Sequence, residues 1–320
     1  MSAVRAGGCT VAEGGNSMRI GVTCGAAAAN HLNTSIGKAK EAEAAGFRTM
    51  WMVHAFGHDA INTLSMAGRE TSSIELGTSV VPIQPRHPVS LAQQSLTAAA
   101  ASGGRFTLGV GLSHKSMVED MLGLSYEQPA RQMREYLEIL CPLLRDGRVN
   151  HDGTQFRVHA GITIEDAPRP VPVLLAALGP AMLGLAGGMA DGTITWLTGL
   201  NTLENHTAPL ITKAAAAAGR PRPRIVAGLP LLLTNDPDAA RASLAKQLSF
   251  YNAMPSYRAM LDREGAAGPA DVAIIGGENV LDDAIARLEN IGVTDLRASI
   301  TGTGGDSEAR TLNYLASKTT

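Results

Sequence analysis

One step recurs along this chain: an alanine-rich helical run, a glycine, then a short apolar strand. Thr34–Ala45 meets Gly46 and gives way to Phe47–Val53, and Ala98–Ala101 meets Gly103 and Gly104 before Phe106–Val110. The stretch 185–192 leads to Thr193–Leu197, the alanines at 214–218 with Gly219 lead to Ile225–Leu233, and 288–292 leads to Thr294–Ile300. Glycine accepts the positive φ that ends a helix, and a short apolar run suits a buried strand. With Arg19–Thr23, Ile74–Pro82 and Val171–Ala177, the predicted strands number eight.

Each helix returns the chain to the end from which it left, so the strands must pair in parallel. Eight such units close a barrel. The predicted fold class is therefore α/β, a (β/α)8 TIM barrel with insertions after strands 3, 4 and 7; an open doubly wound sheet is the competing arrangement. The insertions cover about residues 115–170 and 235–280. In the first, a helix over Pro129–Leu144 gathers Tyr136, Leu137, Leu140 and Leu144 on one face. Asp152-Gly153 then signals a hairpin over Val149–Val158. In the second, Asp236-Pro237-Asp238 caps a helix reaching Asn252, and 255–265 follows. Thr34 or Ser35 is the expected N-cap of the first helix. Residues 1–17 are small, Gly-rich and aperiodic. They read as a poorly ordered extension before a single domain over 18–320, with Met18 as the natural start.

Several function classes fall away. A net charge of −2 gives no electrostatic reason to expect nucleic acid or an anionic membrane as partner. No apolar run reaches the roughly 18 residues that span a bilayer. Aromatics make up only 4% of the chain, too few for large base-stacking platforms. Cys9, Cys24 and Cys141 lie far apart, match no metal spacing and suit a reducing cytoplasm. There is no P-loop, and no G-x-G-x-x-G opens a helix after the first strand. The expectation is a cytoplasmic protein with a small-molecule substrate and no metal.

In a barrel, chemistry belongs to the loops at the carboxyl ends of the strands. The fourth strand runs into Gly111-Leu-Ser-His114, where Gly109 and Gly111 leave space for something flat and His114 supplies an ionisable ring. His54 holds the corresponding place after the second strand. Histidine can move protons near neutrality, so both are candidates, although a loop histidine often only bonds backbone. Arg86 and His87 stand among three prolines after the third strand. Read functionally they contact an anion or substrate; read structurally they shape the loop. After the fifth strand, Gly179-Pro180 opens a helix whose free N–H groups suit a phosphate, or form an ordinary turn. His31, His58, His206, His151 and His159 receive structural readings, as does Asp191-Gly192.

Five segments carry a resemblance over most of the chain, from Met18 to about Gly302: 76–82, 105–111, 175–187, 190–192 and 292–295. In this order and spacing they resemble the bacterial luciferase-like oxidoreductases, in the branch that uses the deazaflavin coenzyme F420. The resemblance implies a barrel with insertions, and a cis non-proline peptide at Ser79-Val80 backing the deazaflavin ring. It implies ring contacts from His54, Leu112 and Ser113, and a phosphate cradle from Leu178, Gly179, Ala181 and Met182. Thr198 falls near the substrate, and His114 takes the place of a catalytic glutamate found in sugar-oxidising relatives. The chain departs from those relatives at Ala55, where they carry histidine, and at Cys24–Ala26, where no glutamate ends the first strand. Glucose phosphate is therefore an improbable substrate.

The expected activity is F420-dependent hydride transfer to or from C=C, C=N or C=O, with His114 moving the accompanying proton. An FMN-dependent monooxygenase on the same barrel and a non-catalytic flavin- or deazaflavin-binding protein are the alternatives. Family habit and the alanine-rich helices suggest a homodimer.

Overall fold

The computed structural model describes residues 18–24, 31–301 and 306–319. The proposed N-terminal extension lies outside them. Eight parallel strands form the barrel: β1 Arg19–Cys24, β2 Thr49–Met52, β3 Glu75–Thr78, β4 Phe106–Gly111, β5 Val173–Leu175, β6 Gly192–Trp196, β7 Arg224–Leu233 and β8 Asp295–Ile300. Each pairs with the next, and β8 pairs with β1 through Gly21 opposite Arg297, so the sheet closes on itself. No described helix is long and apolar enough to cross a membrane.

The helix–glycine–strand step works as the pattern implies. Gly46 and Gly292 take φ of 86° and 92°, and the chain turns from helix into β2 and β8 without the steric cost that a side chain would meet there. The first helix, α1, covers Leu32–Ala44 and is capped by His31, not by Thr34 or Ser35. The His31 carbonyl already receives the N–H groups of both residues, and Ser35 faces the core at 1% exposure. Next come α2 (Ala60–Glu70) and α3 (Pro88–Ala101).

The helix predicted as part of an insertion, α4 (Pro129–Asp146), is the barrel's own fourth helix, packed between α3 and α5 (Pro180–Met189). What is appended there is the antiparallel hairpin Arg148–Asp152 with Arg157–Gly161. Glu135, almost wholly buried on α4, accepts the N–H groups of Thr154, Gln155 and Phe156 and so fixes the hairpin turn.

After β6, the short helical turns Leu200–Thr202 and Leu203–Thr207 run into α6 (Ala208–Ala217). After β7 the chain forms α7 (Pro237–Gln247) and then α8 (Pro255–Glu264). The helix expected to reach Asn252 ends at Gln247, and a 3-10 turn covers Ser249–Ala253. An unpredicted strand, Ile274–Gly276, lies along the carboxyl half of β7, and α9 (Glu278–Ile291) returns to β8.

The barrel's amino end is closed by charge. Arg19 and Arg224 both bridge Glu75 and Asp295, at 2.5–3.0 Å, and Thr107 donates to Glu75. Trp51 is wholly buried above this network, with the Arg224 guanidinium 5.2 Å from its ring. The carboxyl end is left for the loops.

Candidate functional site

His54 leaves β2 into a tight polar cluster. Its Nδ1 accepts the N–H of Ala60 at 3.3 Å, at the start of α2, which Asp59 also caps through Asn62. Arg86, from the loop after β3, bridges Asp59 at 2.6 Å and brings its Nη2 to 3.4 Å from His54 Nε2. The Ala60 N–H and the Arg86 guanidinium are both donors, so each ring nitrogen of His54 faces a donor. Burial and then the Arg86 charge push His54 below the usual histidine range, against the smaller pull of Asp59. His54 is thus a neutral ring fixed between Ala60 and Arg86.

Arg86 and His87 diverge. His87 is exposed, accepts the N–H of Val89 to cap α3, and sets its ring 6.1 Å from Phe156 of the hairpin. The Tyr136 hydroxyl donates to the Arg86 carbonyl, so α4 fixes this loop from outside.

The Ser79–Val80 peptide is cis, and Val81-Pro82 resumes pairing against Val110 and Gly111 of β4. Gly109 and Gly111 serve this bulge, not an incoming ligand. A Cβ on Gly109 would lie 2.1 Å from the Thr78 carbonyl, and one on Gly111 would lie 2.8 Å from Val80 Cγ2. The space expected to receive something flat is taken by the third strand itself.

Leu112, Ser113 and His114 follow. The Ser113 N–H donates to Gln84 from the β3 loop, joining the two loops. The His114 ring stands 5.8 Å from Tyr257 on α8. Burial pushes its pKa down. His114 and His54 make no hydrogen bond with each other.

At the end of β6, Leu197 takes φ +52°, a conformation that costs a β-carbon residue about 1–2 kcal/mol. It is offset by burial of Leu197 against Leu261 and Val272 from the segment after β7. Thr198 is also wholly buried, and its hydroxyl donates to the Trp196 carbonyl at 3.4 Å.

The fifth loop opens a helix whose first turn has no side-chain cap. Gly179 caps α5 without a side-chain bond, no acidic residue stands in the first turn, and Pro180 has no N–H to offer. The first-turn N–H groups of Ala181 and Met182 face outward from an exposed turn with the helix dipole behind them. A phosphate fits this donor set. His206, read from sequence as structural, is 5% exposed and places Nε2 2.9 Å from the Leu178 carbonyl, fixing the cradle from β6's side. Glu264, also unremarked in the sequence, accepts the N–H groups of Asn201 and Thr202 and ties α8 to the loop after β6. Among the described residues no cluster of histidine, cysteine or carboxylate side chains could hold a metal.

A family model described as luciferase-like monooxygenase matches residues 15–294. The chain is 31% identical to a 5,10-methylenetetrahydromethanopterin reductase of Methanolobus tindarius, over 87% of this chain and 85% of that one. It is 36% identical to an F420-dependent glucose-6-phosphate dehydrogenase of Beutenbergia cavernae, over 63% and 64%. The coenzyme F420-dependent tetrahydromethanopterin reductase of Methanopyrus kandleri superposes with a TM-score of 0.77 at 23% identity, covering 94% of this chain and 97% of that one.

Proposed function

The chain belongs to the luciferase-like monooxygenase family, and from that premise we propose that it is a coenzyme F420-dependent oxidoreductase acting on a small organic substrate. The observation that carries this reading is the uncapped, acid-free start of α5 beside a cis bulge on β3, in a chain with relatives named for F420. The deazaflavin, when bound, supplies two-electron hydride chemistry.

The residues divide the remaining work. Ala181 and Met182 would hold the phosphate, with Leu178 kept in place by His206. Ser79, Val80 and Ser113 would set the ring's position, and His54 would pack a neutral imidazole against it. His114 would hold or take the substrate proton. Burial depresses its pKa, so the imidazolium, the form that gives a proton, yields to the neutral ring below the ordinary histidine range.

Titration of the purified protein with F420 and with FMN, each followed by fluorescence, tests the reading. F420 binding at micromolar or lower concentration is expected. Tight FMN binding with no F420 binding would replace it with the second reading, a flavin monooxygenase, which the name of the matching family favours. Turnover left unchanged by His114→Ala would remove the histidine from the mechanism.

A further inference from the structure

The barrel interior holds three arginines, and it treats one of them differently. Arg19 and Arg224 at the floor share two carboxylates. Arg297, two residues further along β8 than Asp295, is 3% exposed and has no carboxylate partner among the described residues. Among the described residues its single side-chain hydrogen bond runs from Nη1 to Thr23 Oγ1, at 3.3 Å, and its buried Nε has none. The guanidinium lies 4.8 Å from the ring of Trp196, the last residue of β6. It has room because Gly228 between them on β7 lacks a Cβ, which would fall 2.4 Å from Nη2.

A buried charge without a counter-charge costs several kcal/mol, and such groups persist where a ligand completes them. This one stands at the working end of the barrel. From Trp196 the rings continue to Tyr251 at 6.4 Å, to Tyr257 at 4.7 Å, and to His114 at 5.8 Å. The aromatic-poor chain thus concentrates three aromatic rings between Arg297 and His114, the proposed proton carrier. Desolvation pulls Arg297 down to about 10, with only the Tyr257 and Tyr251 hydroxyls acting against it, so it stays charged at neutral pH.

We propose that Arg297 is the substrate's anion receptor, and that the substrate is an organic carboxylate with an apolar or aromatic body resting on Trp196, Tyr251 and Tyr257. The planar guanidinium suits a carboxylate's two oxygens, and the ring faces suit an apolar body. As a statement of substrate class, this rests on the oxidoreductase reading above; as a binding site, it can be measured without cofactor.

The test is calorimetric titration of the full chain with benzoate and with its neutral isostere benzamide, with and without saturating F420. Benzoate is expected to bind at least tenfold more tightly than benzamide, and Arg297→Met to abolish that difference. Equal binding of the two probes, or a preference that survives Arg297→Met, overturns the proposal. If Arg297→Met does not fold, the wild-type preference decides alone. Benzoate binding that is lost one-for-one as F420 binds would make Arg297 the cofactor's counter-ion and overturn the substrate assignment. Benzoate binding in a protein that takes no F420 would leave the receptor standing and the F420 reading refuted.

Discussion

The imidazole of His114 and the phenol ring of Tyr257 lie 5.8 Å apart, across the gap between the loop after β4 and the helix α8 that follows β7. Two segments more than a hundred residues apart in the chain thus meet over the barrel mouth. Burial depresses the His114 pKa. His114→Ala is expected to slow turnover by about 10²–10⁴-fold while leaving F420 affinity unchanged. Stopped-flow reduction and cofactor titration separate the two effects. In the wild type, the reductive rate should fall as pH rises through a value below the ordinary histidine pKa, since only the imidazolium donates; a flat profile from pH 5 to 9 counts against the assignment.

His206→Ala removes the bond that fixes the Leu178 carbonyl. A single hydrogen bond of about 0.5–1.5 kcal/mol corresponds to roughly 2–10-fold in affinity. F420 should bind that much more weakly, and the melting temperature should fall as well because the truncation leaves a cavity at a buried site. An unchanged dissociation constant would detach His206 from the phosphate cradle.

Gly109→Ala and Gly111→Ala should differ in kind. At Gly109 the new methyl meets the Thr78 backbone carbonyl, which cannot swing aside, and about 1–3 kcal/mol of stability should be lost in urea denaturation. At Gly111 the methyl meets Val80 Cγ2. The bulge should shift, weakening cofactor binding more than folding.

Asp295→Asn leaves Arg19 and Arg224 short of one shared carboxylate. Breaking a buried pair from one side costs about 3–5 kcal/mol, and the urea midpoint should report it. A midpoint within experimental error of wild type would mean that Glu75 alone suffices.

Glu135 gives a dependence on acid. Burial would raise its pKa, but the Thr154 hydroxyl and the N–H groups of Gln155, Phe156 and Thr154 outweigh it and hold the carboxyl at about 2. The unfolded chain protonates first, near the ordinary 4.5, so this contribution is complete above that value and is lost as pH falls toward 2. Glu135→Gln should flatten that acid limb. Amide exchange at Gln155 and Phe156 should quicken in the variant.

Much of the barrel was legible because its signals are local. A helix, a glycine and an apolar run identify each βα unit without knowledge of the rest. Whether α4 belongs to the ring or to an insertion depends on its neighbours in space, and the apolar face over Tyr136, Leu137 and Leu140 looks the same in both cases. Ile274–Gly276 is too short to register as a strand and owes its conformation to β7. His206 acts through a carbonyl 28 residues away, a contact that no spacing encodes. Arg297 did leave a trace. Asp295 and Arg297 alternate on a strand expected to be buried on both faces, which sets two charges on the same side, inside the barrel.

The ionic floor of Arg19, Glu75, Arg224 and Asp295, with Trp51 above it, makes the barrel a cup instead of a tube. Reactant and product must use one doorway. A bound product therefore blocks the next reactant until it departs, and that doorway is framed by α8, which Glu264 tethers to the loop after β6. The same helix carries Tyr257 to within 5.8 Å of the His114 ring, so the doorway and the proposed proton carrier share one wall.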